Sequence, residues 1–302
     1  MKLLAVCGPT ASGKSELAVE CAKRLNGEII SCDAFLVYKG LNIGTAKPTH
    51  EEMGGIPHYM IDIALPSENF SVSDFEARAL PVLEDVLSRG KTCILCGGTG
   101  FYMNALLYAH SFGNVAASSE VREKYQAILE EKGKGYLHAL LKKADPESAS
   151  KLHENDIKRV VRALEIYELT GKKKSEQNDG SLPRYPFVGV AVDYPREELY
   201  GRIDRRVDKM MASGLIEEVK GLLESGVSEN AQCMQAIGYK EVVESLRNGE
   251  LQSIMCDIIK KNTRNYAKRQ LTFFRRMPNL HWLSPKSTAD LAEEVVRLYE
   301  RG

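Results

Sequence analysis

The sequence predicts an α/β fold in which a parallel sheet is covered by helices and interrupted by a helical insertion domain. Three observations support this. Short apolar runs alternate with helical periodicity over residues 1–110, a glycine-rich turn follows the first run, and residues 112–183 show helical patterns without a convincing strand. Strands that are apolar on both faces are typical of a parallel sheet covered on both sides. We therefore assign 1–111 and 184–302 to the core and 112–183 to the insertion.

The individual elements follow from the spacing of apolar residues. Short apolar runs predict strands at 2–7, 28–32, 92–96 and 187–192. Apolar residues recurring every three or four positions predict helices at 14–25, 73–88, 119–131, 136–143, 156–170, 196–213, 215–225, 239–248 and 251–277. The segment 37–48 has two glycines and no periodicity, so we interpret it as a loop near the site and not as part of the core.

The bulk composition limits the class of protein. The 302 residues include 41 basic and 41 acidic ones, so a uniformly basic nucleic-acid-binding surface is excluded. No stretch reaches the roughly 18 to 20 apolar residues of a membrane span, and the apolar start is shorter than a signal peptide requires. We expect a cytoplasmic, monomeric protein that does not bind membranes.

Seven cysteines are present, an odd number without an export signal, which predicts free thiols. Cys93 and Cys96 match a redox motif, but they lie within an apolar run, and we interpret them as buried strand residues. The six histidines are scattered without metal-ligand spacing, which argues against a bound transition metal.

A phosphate-binding loop lies between the first predicted strand and the first predicted helix. Its glycines let backbone amides surround a phosphate, the lysine neutralises charge, and the final hydroxyl can hold Mg²⁺. The loop predicts a core similar to that of P-loop NTPases and a diphosphate-binding site, but it leaves the reaction open. Its residues are Gly8, Pro9, Thr10, Ala11, Ser12, Gly13, Lys14 and Ser15.

Two further polar residues follow predicted strands. Asp33 comes after the second strand, where it could bind Mg²⁺, act as a general base or cap a turn. Thr99 lies in a glycine-rich turn after the third strand and offers a hydroxyl to a ligand.

A basic block marks the last third of the chain, because residues 258–289 contain eight Lys or Arg and no acid. At about 100° per residue, five of the cations lie within one arc of the predicted helix 251–277. Because no acids are interleaved, we favour phosphate contact over a merely solvated face. The five are Lys260, Lys261, Arg264, Lys268 and Arg275.

Taken together, these segments resemble the tRNA dimethylallyltransferase family over essentially the whole chain and in the same order. The matching segments are 8–15, Asp33 with 37–38, 43–48, 57–58 with Asp62, 97–102, 155–165, 238–241 and 267–270. The sequence departs from the family pattern at Ala34, Leu36 and Phe273, which affects contacts around the target base more than the reaction.

The resemblance implies transfer of a dimethylallyl group from dimethylallyl diphosphate to N6 of the adenosine that follows the anticodon. Asp33 and Thr99 are then the catalytic residues, with Asp33 as the base on N6. The loop 8–15 and Mg²⁺ on Ser15 would hold the departing pyrophosphate. Arg202 and Arg206, four residues apart, resemble arginines that reach the diphosphate, although pairing with Asp204 and Asp208 remains open.

The resemblance also implies contacts with the tRNA anticodon stem-loop, whose target base would be flipped into a pocket. The implied contact residues are Asp33, Ala34, Phe35, Leu36, Thr99, Arg122, Lys158, Arg159, Val160, Val161, Arg162, Gln235, Ala236, Ile237, Gly238, Tyr239 and Lys240.

Three alternatives remain at this point. The chief one is a small-molecule or nucleotide kinase, in which Arg202 and Arg206 would close over ATP. A dimethylallyltransferase acting on free adenine nucleotides and a non-catalytic RNA-binding protein are the others.

Overall fold

The first compact unit contains a sheet of six parallel strands, β1 (Leu3–Cys7), β2 (Gly27–Ser31), β3 (His58–Tyr59), β4 (Thr92–Gly97), β5 (Phe187–Val192) and β6 (Leu280–Leu283). Their spatial order is β3-β2-β4-β1-β5-β6. The four central strands coincide with the predicted apolar runs, and the predicted fold class is confirmed. β3 and β6, the two edge strands, were not predicted.

This computed structural model describes residues 2–109, 118–176 and 182–301. The chain divides into two compact units, one formed by Met1–Leu107 with Pro183–Gly302 and the other by Tyr108–Leu182. The predicted boundary at residues 111 and 112 lies outside the described residues.

Most of the described helices fall close to the predicted ranges, but those at 50–53, 100–107, 146–151 and 288–301 lie outside them. The helices are α1 (Lys14–Arg24), α2 (His50–Met53), α3 (Val72–Ser88), α4 (Gly100–Leu107), α5 (Ser119–Ala144), α6 (Pro146–Lys151), α7 (Ile157–Thr170), α8 (Arg196–Ala212), α9 (Leu215–Glu224), α10 (Tyr239–Asn248), α11 (Gln252–Phe274) and α12 (Thr288–Arg301). α5 is interrupted at Gly133, which has a φ of 77°, so it corresponds to the two helices predicted there.

Helices cover both faces of the sheet, as its apolar strands require. On one face, α1 and α12 pack against β1 and β5, and Leu17 and Val295 join Val6 and Val190 in one buried cluster. On the other side, α3 and α4 pack together, and the rings of Phe75 and Tyr102 stack with centroids 4.0 Å apart.

The segment between β2 and α2 differs from the prediction. It lacks regular helix, but Val37, Tyr38 and Leu41 are completely buried, and Tyr38 forms a parallel bridge to Ala64. The prediction of a loop outside the core was therefore wrong, because tertiary packing buries these side chains without any local periodicity.

The second unit contains α5, α6 and α7 around a core of its own. Tyr125 and Leu137 from α5 pack with Val160 and Leu164 from α7. Asp145 is completely buried and accepts hydrogen bonds from the hydroxyls of Ser148 and Ser175, with distances of 2.5 and 2.6 Å. These bonds fasten the start of α6 within the unit.

The cysteines agree with the sequence prediction. All seven cysteines are free, and Cys93 and Cys96 are buried in β4, as predicted. Among the described helices, none is both long enough and apolar enough to cross a membrane.

Candidate active site

The candidate site lies at the carboxyl edge of the sheet, where three neighbouring strands end. The loop 8–15 joins β1 to α1, Asp33 follows β2, and Thr99 follows β4. Because the strands are parallel, their carboxyl ends meet at one edge, which is where α/β folds bind ligands. The structure thus brings together the three predicted elements of the site.

The loop 8–15 has the curved backbone of an anion-binding turn. Gly8, Ala11 and Gly13 have φ values of 146°, 62° and 78°. The Lys14 ammonium donates a hydrogen bond of 3.2 Å to the carbonyl of Pro9, which holds it across the loop. Ser12 is 2 % exposed, and its buried hydroxyl has no hydrogen-bond partner among the described residues, so a bound anion could supply one. These features fit a phosphate group.

Gln270 of α11 connects this loop to the turn that follows β4. Its Oε1 accepts a hydrogen bond from the Thr10 amide, and its Nε2 donates one to the Gly98 carbonyl, both at 2.9 Å. A Cβ at position 98 would lie 2.2 Å from Nε2, so only glycine leaves room for this bond. Gln270 was not predicted as a site residue, although a glutamine on the apolar face of a helix was a usable signal.

The two carboxylate oxygens of Asp33 have different surroundings. Its Oδ1 accepts hydrogen bonds from the amides of Phe35 and Leu36 at 2.9 and 3.4 Å, which is the turn-capping role considered above. Its Oδ2 makes no hydrogen bond to a described residue and remains available to a ligand. The Thr99 hydroxyl accepts a 3.0 Å hydrogen bond from the Ala34 amide and thereby fixes the same turn.

Arg202 and Arg206 point from α8 towards the site. The Arg202 guanidinium donates a 2.8 Å hydrogen bond to the Ala11 carbonyl, and that of Arg206 donates one of 3.1 Å to the Thr45 carbonyl. Asp204 and Asp208 pair instead with Arg264 and Lys260 of α11. The alternative that Arg202 and Arg206 form ion pairs along their own helix is therefore not observed.

A cavity of about 230 Å³ opens beside these groups, entirely within the first unit. Burial lowers the pKa of Lys14, and the nearby Arg206 lowers it further, whereas Asp33 acts in the opposite direction. Burial also lowers the pKa of Arg206. Two desolvated cations on one wall favour an anionic ligand. The lining residues include Thr10, Lys14, Asp33, Phe35, Gly44, Thr45, Arg206, Gln235, Ala236, Ile237, Tyr266, Arg269 and Gln270.

A second, smaller cavity of about 50 Å³ shares Lys14, Asp33 and Arg206 with the first. Ser15 and Leu36 also line it. Mg²⁺ is commonly held by one or two protein oxygens together with substrate phosphates and waters. The Ser15 hydroxyl and the Asp33 carboxylate fit such a site. In the described part of the chain, no group of three or more His, Cys, Asp or Glu residues could hold a metal by itself.

The segment 235–240 divides into two parts. Gln235, Ala236 and Ile237 line the larger cavity, and Lys240 is exposed. Tyr239 is completely buried, and its hydroxyl donates a hydrogen bond to Glu218 of α9. Tyr239 thus holds the segment in place. Its side chain is buried and is not exposed for the predicted contact with tRNA.

Glu218 also binds the loop that contains residues 42–44. Its carboxylate accepts hydrogen bonds from the amides of Asn42, Ile43 and Gly44 at 3.0, 2.9 and 3.3 Å. The next residue, Thr45, lines both cavities. Sequence reasoning missed Glu218, because nothing distinguishes it from other acids on the polar face of a helix.

In the second unit, a buried carboxylate organises two of the predicted tRNA-binding arginines. Glu165 is completely buried and receives hydrogen bonds from Arg122 and Arg162. Lys158 and Arg159 are exposed at the start of α7, and Val161 is half-buried. Val160 is buried within the core of this unit. Glu165 therefore holds the side chains of Arg122 and Arg162 in place.

The basic face of α11 is largely neutralised. Lys260 and Arg264 pair with Asp208 and Asp204 of α8 at 2.6 and 2.5 Å, and Arg275 pairs with Asp193 at 3.4 Å. The sequence pattern did not reveal these acids, because they come from other parts of the chain, and the phosphate contact expected of these three residues stays a prediction. Lys261 and Lys268 are exposed and have no acid within 4 Å among the described residues.

Known proteins match this chain over most of its length. The model of the IPP transferase family matches residues 36–277. The tRNA dimethylallyltransferase of Acetivibrio thermocellus is 44% identical over 298 residues, which are 98% of this chain and 95% of that protein. The tRNA dimethylallyltransferase of Caldanaerobacter subterraneus is 46% identical over 288 residues, 93% of this chain and 91% of that protein.

Solved structures agree. The full-length tRNA isopentenylpyrophosphate transferase of Bacillus halodurans has a TM-score of 0.74 at 42% identity, covering 98% of this chain and 95% of that one. A eukaryotic dimethylallyltransferase acting on tRNA has a TM-score of 0.79 at 31% identity, covering 97% of this chain and 75% of that one. Together with the family match, these relatives show that the chain belongs to the tRNA dimethylallyltransferase family of IPP transferases.

Proposed function

We propose that this enzyme transfers the dimethylallyl group of dimethylallyl diphosphate to N6 of the adenosine 3′ to the anticodon in tRNA, releasing pyrophosphate. The observation that carries the proposal is one cavity that combines two half-buried cations, Lys14 and Arg206, with the carboxylate of Asp33. The cations can stabilise the negative charge of a diphosphate leaving group, and the carboxylate can accept a proton from the nucleophile.

The bonding changes assign a role to each group. The bond from N6 to the allylic carbon forms, the bond from that carbon to the diphosphate oxygen breaks, and Asp33 accepts the proton from N6. N6 needs this help because its lone pair is delocalised into the ring. The amides of the loop 8–15, with Lys14 and Arg206, stabilise the charge on the departing oxygens.

Ser15 would hold Mg²⁺ when the diphosphate is bound, which leaves the Asp33 carboxylate to accept the proton from N6. The ion supplies charge neutralisation on the diphosphate oxygens. Thr99 keeps Asp33 in place through its bond to the Ala34 amide.

The tRNA would contact residues from both units. In the first unit, the wall formed by Gln235, Ala236 and Ile237 would face the flipped base. In the second, Arg122, Lys158, Arg159 and Arg162 would contact phosphates of the anticodon stem-loop.

The free cysteines suit a reducing compartment, so we also propose a cytoplasmic location. Size-exclusion chromatography would check the proposed monomer.

A transfer assay tests the proposal against the kinase. Labelled dimethylallyl diphosphate, Mg²⁺ and unmodified tRNA are incubated with the protein, and parallel reactions replace the tRNA with AMP or the donor with labelled ATP. We expect label in tRNA alone, at the adenosine 3′ to the anticodon. Label that enters only AMP, or that comes only from ATP, would overturn the proposal. The kinase is already disfavoured, because the relatives above are all transferases of this one family.

A further inference from the structure

An exposed aromatic side chain lies two residues after Thr99, at the first turn of α4. Phe101 is 61% exposed, and its ring centroid lies 5.6 Å from that of Phe273 in α11, with a tilt of 60°. The ring of Phe273 in turn meets Phe274 edge-on at 5.7 Å, and Phe274 is completely buried. The three rings therefore form a continuous series from the core to the surface.

The series is built against the turn that carries Thr99. A Cβ at position 100 would lie 2.2 Å from the Phe273 ring, so the absence of a side chain at Gly100 lets that ring rest on the backbone. This close approach fixes the position of the Phe273 ring, which in turn supports the exposed ring of Phe101. Phe101 is therefore a supported surface group and not a loose one.

Two unpaired cations flank the aromatic pair. Arg269 precedes Phe273 by four residues, which places both on one face of α11, and Arg269 also lines the larger cavity. Arg276 follows Phe273 by three residues and is exposed. Neither arginine has a carboxylate within 4 Å among the described residues, in contrast to Lys260, Arg264 and Arg275 nearby. Positive charge is thus left uncompensated around the exposed ring.

We propose that Phe101, supported by Phe273, is a stacking surface for an unpaired base of the substrate RNA next to the base that enters the cavity. Arg269 and Arg276 would contact the phosphates of the same strand. Aromatic rings combined with arginines are the usual means of binding unpaired nucleotides, because every base has a face that can stack. The inference rests on the proposed function and adds to it a binding surface outside the cavity.

The test compares Phe101→Ala with Phe101→Trp, which keeps an aromatic face. Binding of a fluorescent anticodon stem-loop RNA is measured by anisotropy, and steady-state transfer is measured with both substrates varied. We expect Phe101→Ala to raise the Kd and the KM for RNA by about 5-fold or more. The KM for dimethylallyl diphosphate should stay unchanged, and Phe101→Trp should bind like the wild type. Leu251→Ala is the control, since Leu251 is a comparably exposed apolar residue, 69% exposed, immediately before α11.

A second measurement identifies the base. RNAs with an abasic site on either side of the target adenosine are tested with the wild type and with Phe101→Ala. If the base stacks on Phe101, one abasic RNA should lose affinity for the wild type but not for the variant. Arg276→Gln should also make the logarithm of the affinity less dependent on salt, by a slope of about 0.7.

The outcomes separate this proposal from the proposed function. A wild type that transfers no label to tRNA defeats the proposed function. An active wild type whose RNA affinity is the same with Phe101→Ala as with Leu251→Ala defeats the stacking surface alone. Thermal unfolding of each variant confirms that a loss of binding does not reflect a loss of folding.

Discussion

The buried hydroxyl of Tyr239 donates a hydrogen bond to Glu218, and the same carboxylate accepts the amides of residues 42–44. Burial raises the pKa of Tyr239, so its hydroxyl remains a neutral donor. The ring of Tyr239 also occupies the space beside Gly44, where a Cβ would lie 2.3 Å from the ring. One carboxylate therefore fixes two segments that line the larger cavity.

Glu218→Gln should impair both the site and the stability. The glutamine amide would direct N–H groups at backbone N–H groups, so at least one buried donor loses its acceptor at a cost of about 1–3 kcal/mol in the free energy of unfolding. We expect a lower Tm and a kcat/KM lower by about 10-fold, since Thr45 loses its fixed position. Chemical denaturation and steady-state transfer measure the two effects. Glu217→Gln is the control, because Glu217 is exposed one residue earlier; equal effects of both variants would contradict the role of Glu218.

Arg206→Gln should weaken the use of dimethylallyl diphosphate. Arg206 is a half-buried cation on the cavity wall. Loss of a charge-assisted hydrogen bond from Arg206 to a diphosphate oxygen should raise the KM for the donor by about 10-fold or more. The KM for tRNA should remain that of the wild type. Arg205→Gln provides the comparison, since Arg205 is the exposed neighbour on the same helix. A change confined to the KM for tRNA would place Arg206 in the RNA site.

Asp33→Asn should separate chemistry from binding. Asparagine retains the Oδ1 that accepts the amides of Phe35 and Leu36, so the turn is preserved, but it cannot take the proton from N6. We expect kcat to fall by about 10²-fold or more, the scale of losing a general base. The Kd for tRNA, measured by anisotropy, should not change. Asp257→Asn, an exposed aspartate on α11, should leave both quantities unchanged. Weak binding with normal kcat at saturation would assign Asp33 to docking.

The central part of the fold was predictable because local sequence determines it. β1, β2, β4 and β5 are buried runs whose apolar character is visible without partners, and the residues that follow them are placed by the parallel topology. β3 has only two residues, and most side chains of β6 are partly or fully exposed. Neither segment therefore has a local sequence pattern that distinguishes it from a loop. Both exist because an adjacent strand offers hydrogen bonds.

The interactions between distant segments could not be predicted. A helical wheel of α11 shows Lys260 and Arg264 on one face, but Asp208 and Asp204, which neutralise them, lie on α8, more than fifty residues earlier. The role of Glu218 depends in the same way on a loop that lies far from it in sequence. The charge of a surface is a tertiary property, so a count along one helix overestimates its positive potential.

Glu165→Gln should disturb the second unit and its cations. Although burial opposes ionisation, the hydrogen bonds from Arg162 and Arg122 hold the pKa of Glu165 below its ordinary value, so it is charged at neutral pH. Removing that charge leaves two arginines without their buried partner, which typically costs a few kcal/mol for a buried ion pair. We expect a lower Tm and a higher Kd for the anticodon stem-loop, with the KM for dimethylallyl diphosphate unchanged. Glu123→Gln, an exposed acid on the same helix as Arg122, should show neither effect.

Acid stability should depend on Glu28 in β2. Hydrogen bonds from Arg89 at 2.6 and 2.7 Å hold the pKa of this buried carboxyl at about 2, well below its ordinary value near 4.5. Between these two values the unfolded chain binds more protons than the folded one, so the free energy of unfolding decreases as the pH falls from about 4.5 to about 2. Above that range the contribution is complete and does not vary with pH.

Glu28→Gln should therefore flatten the acid limb of the stability profile. The ion pair contributes on the order of 2–3 kcal/mol at neutral pH, and the variant should lack this contribution at every pH. Urea denaturation at several pH values between 7 and the acid limit would measure both the loss and the slope. Glu84→Gln, an exposed glutamate on α3, serves as the control and should retain the slope of the wild type. A Glu28→Gln variant that is less stable by the same amount at all pH values, with the slope intact, would assign the acid sensitivity to other carboxyls.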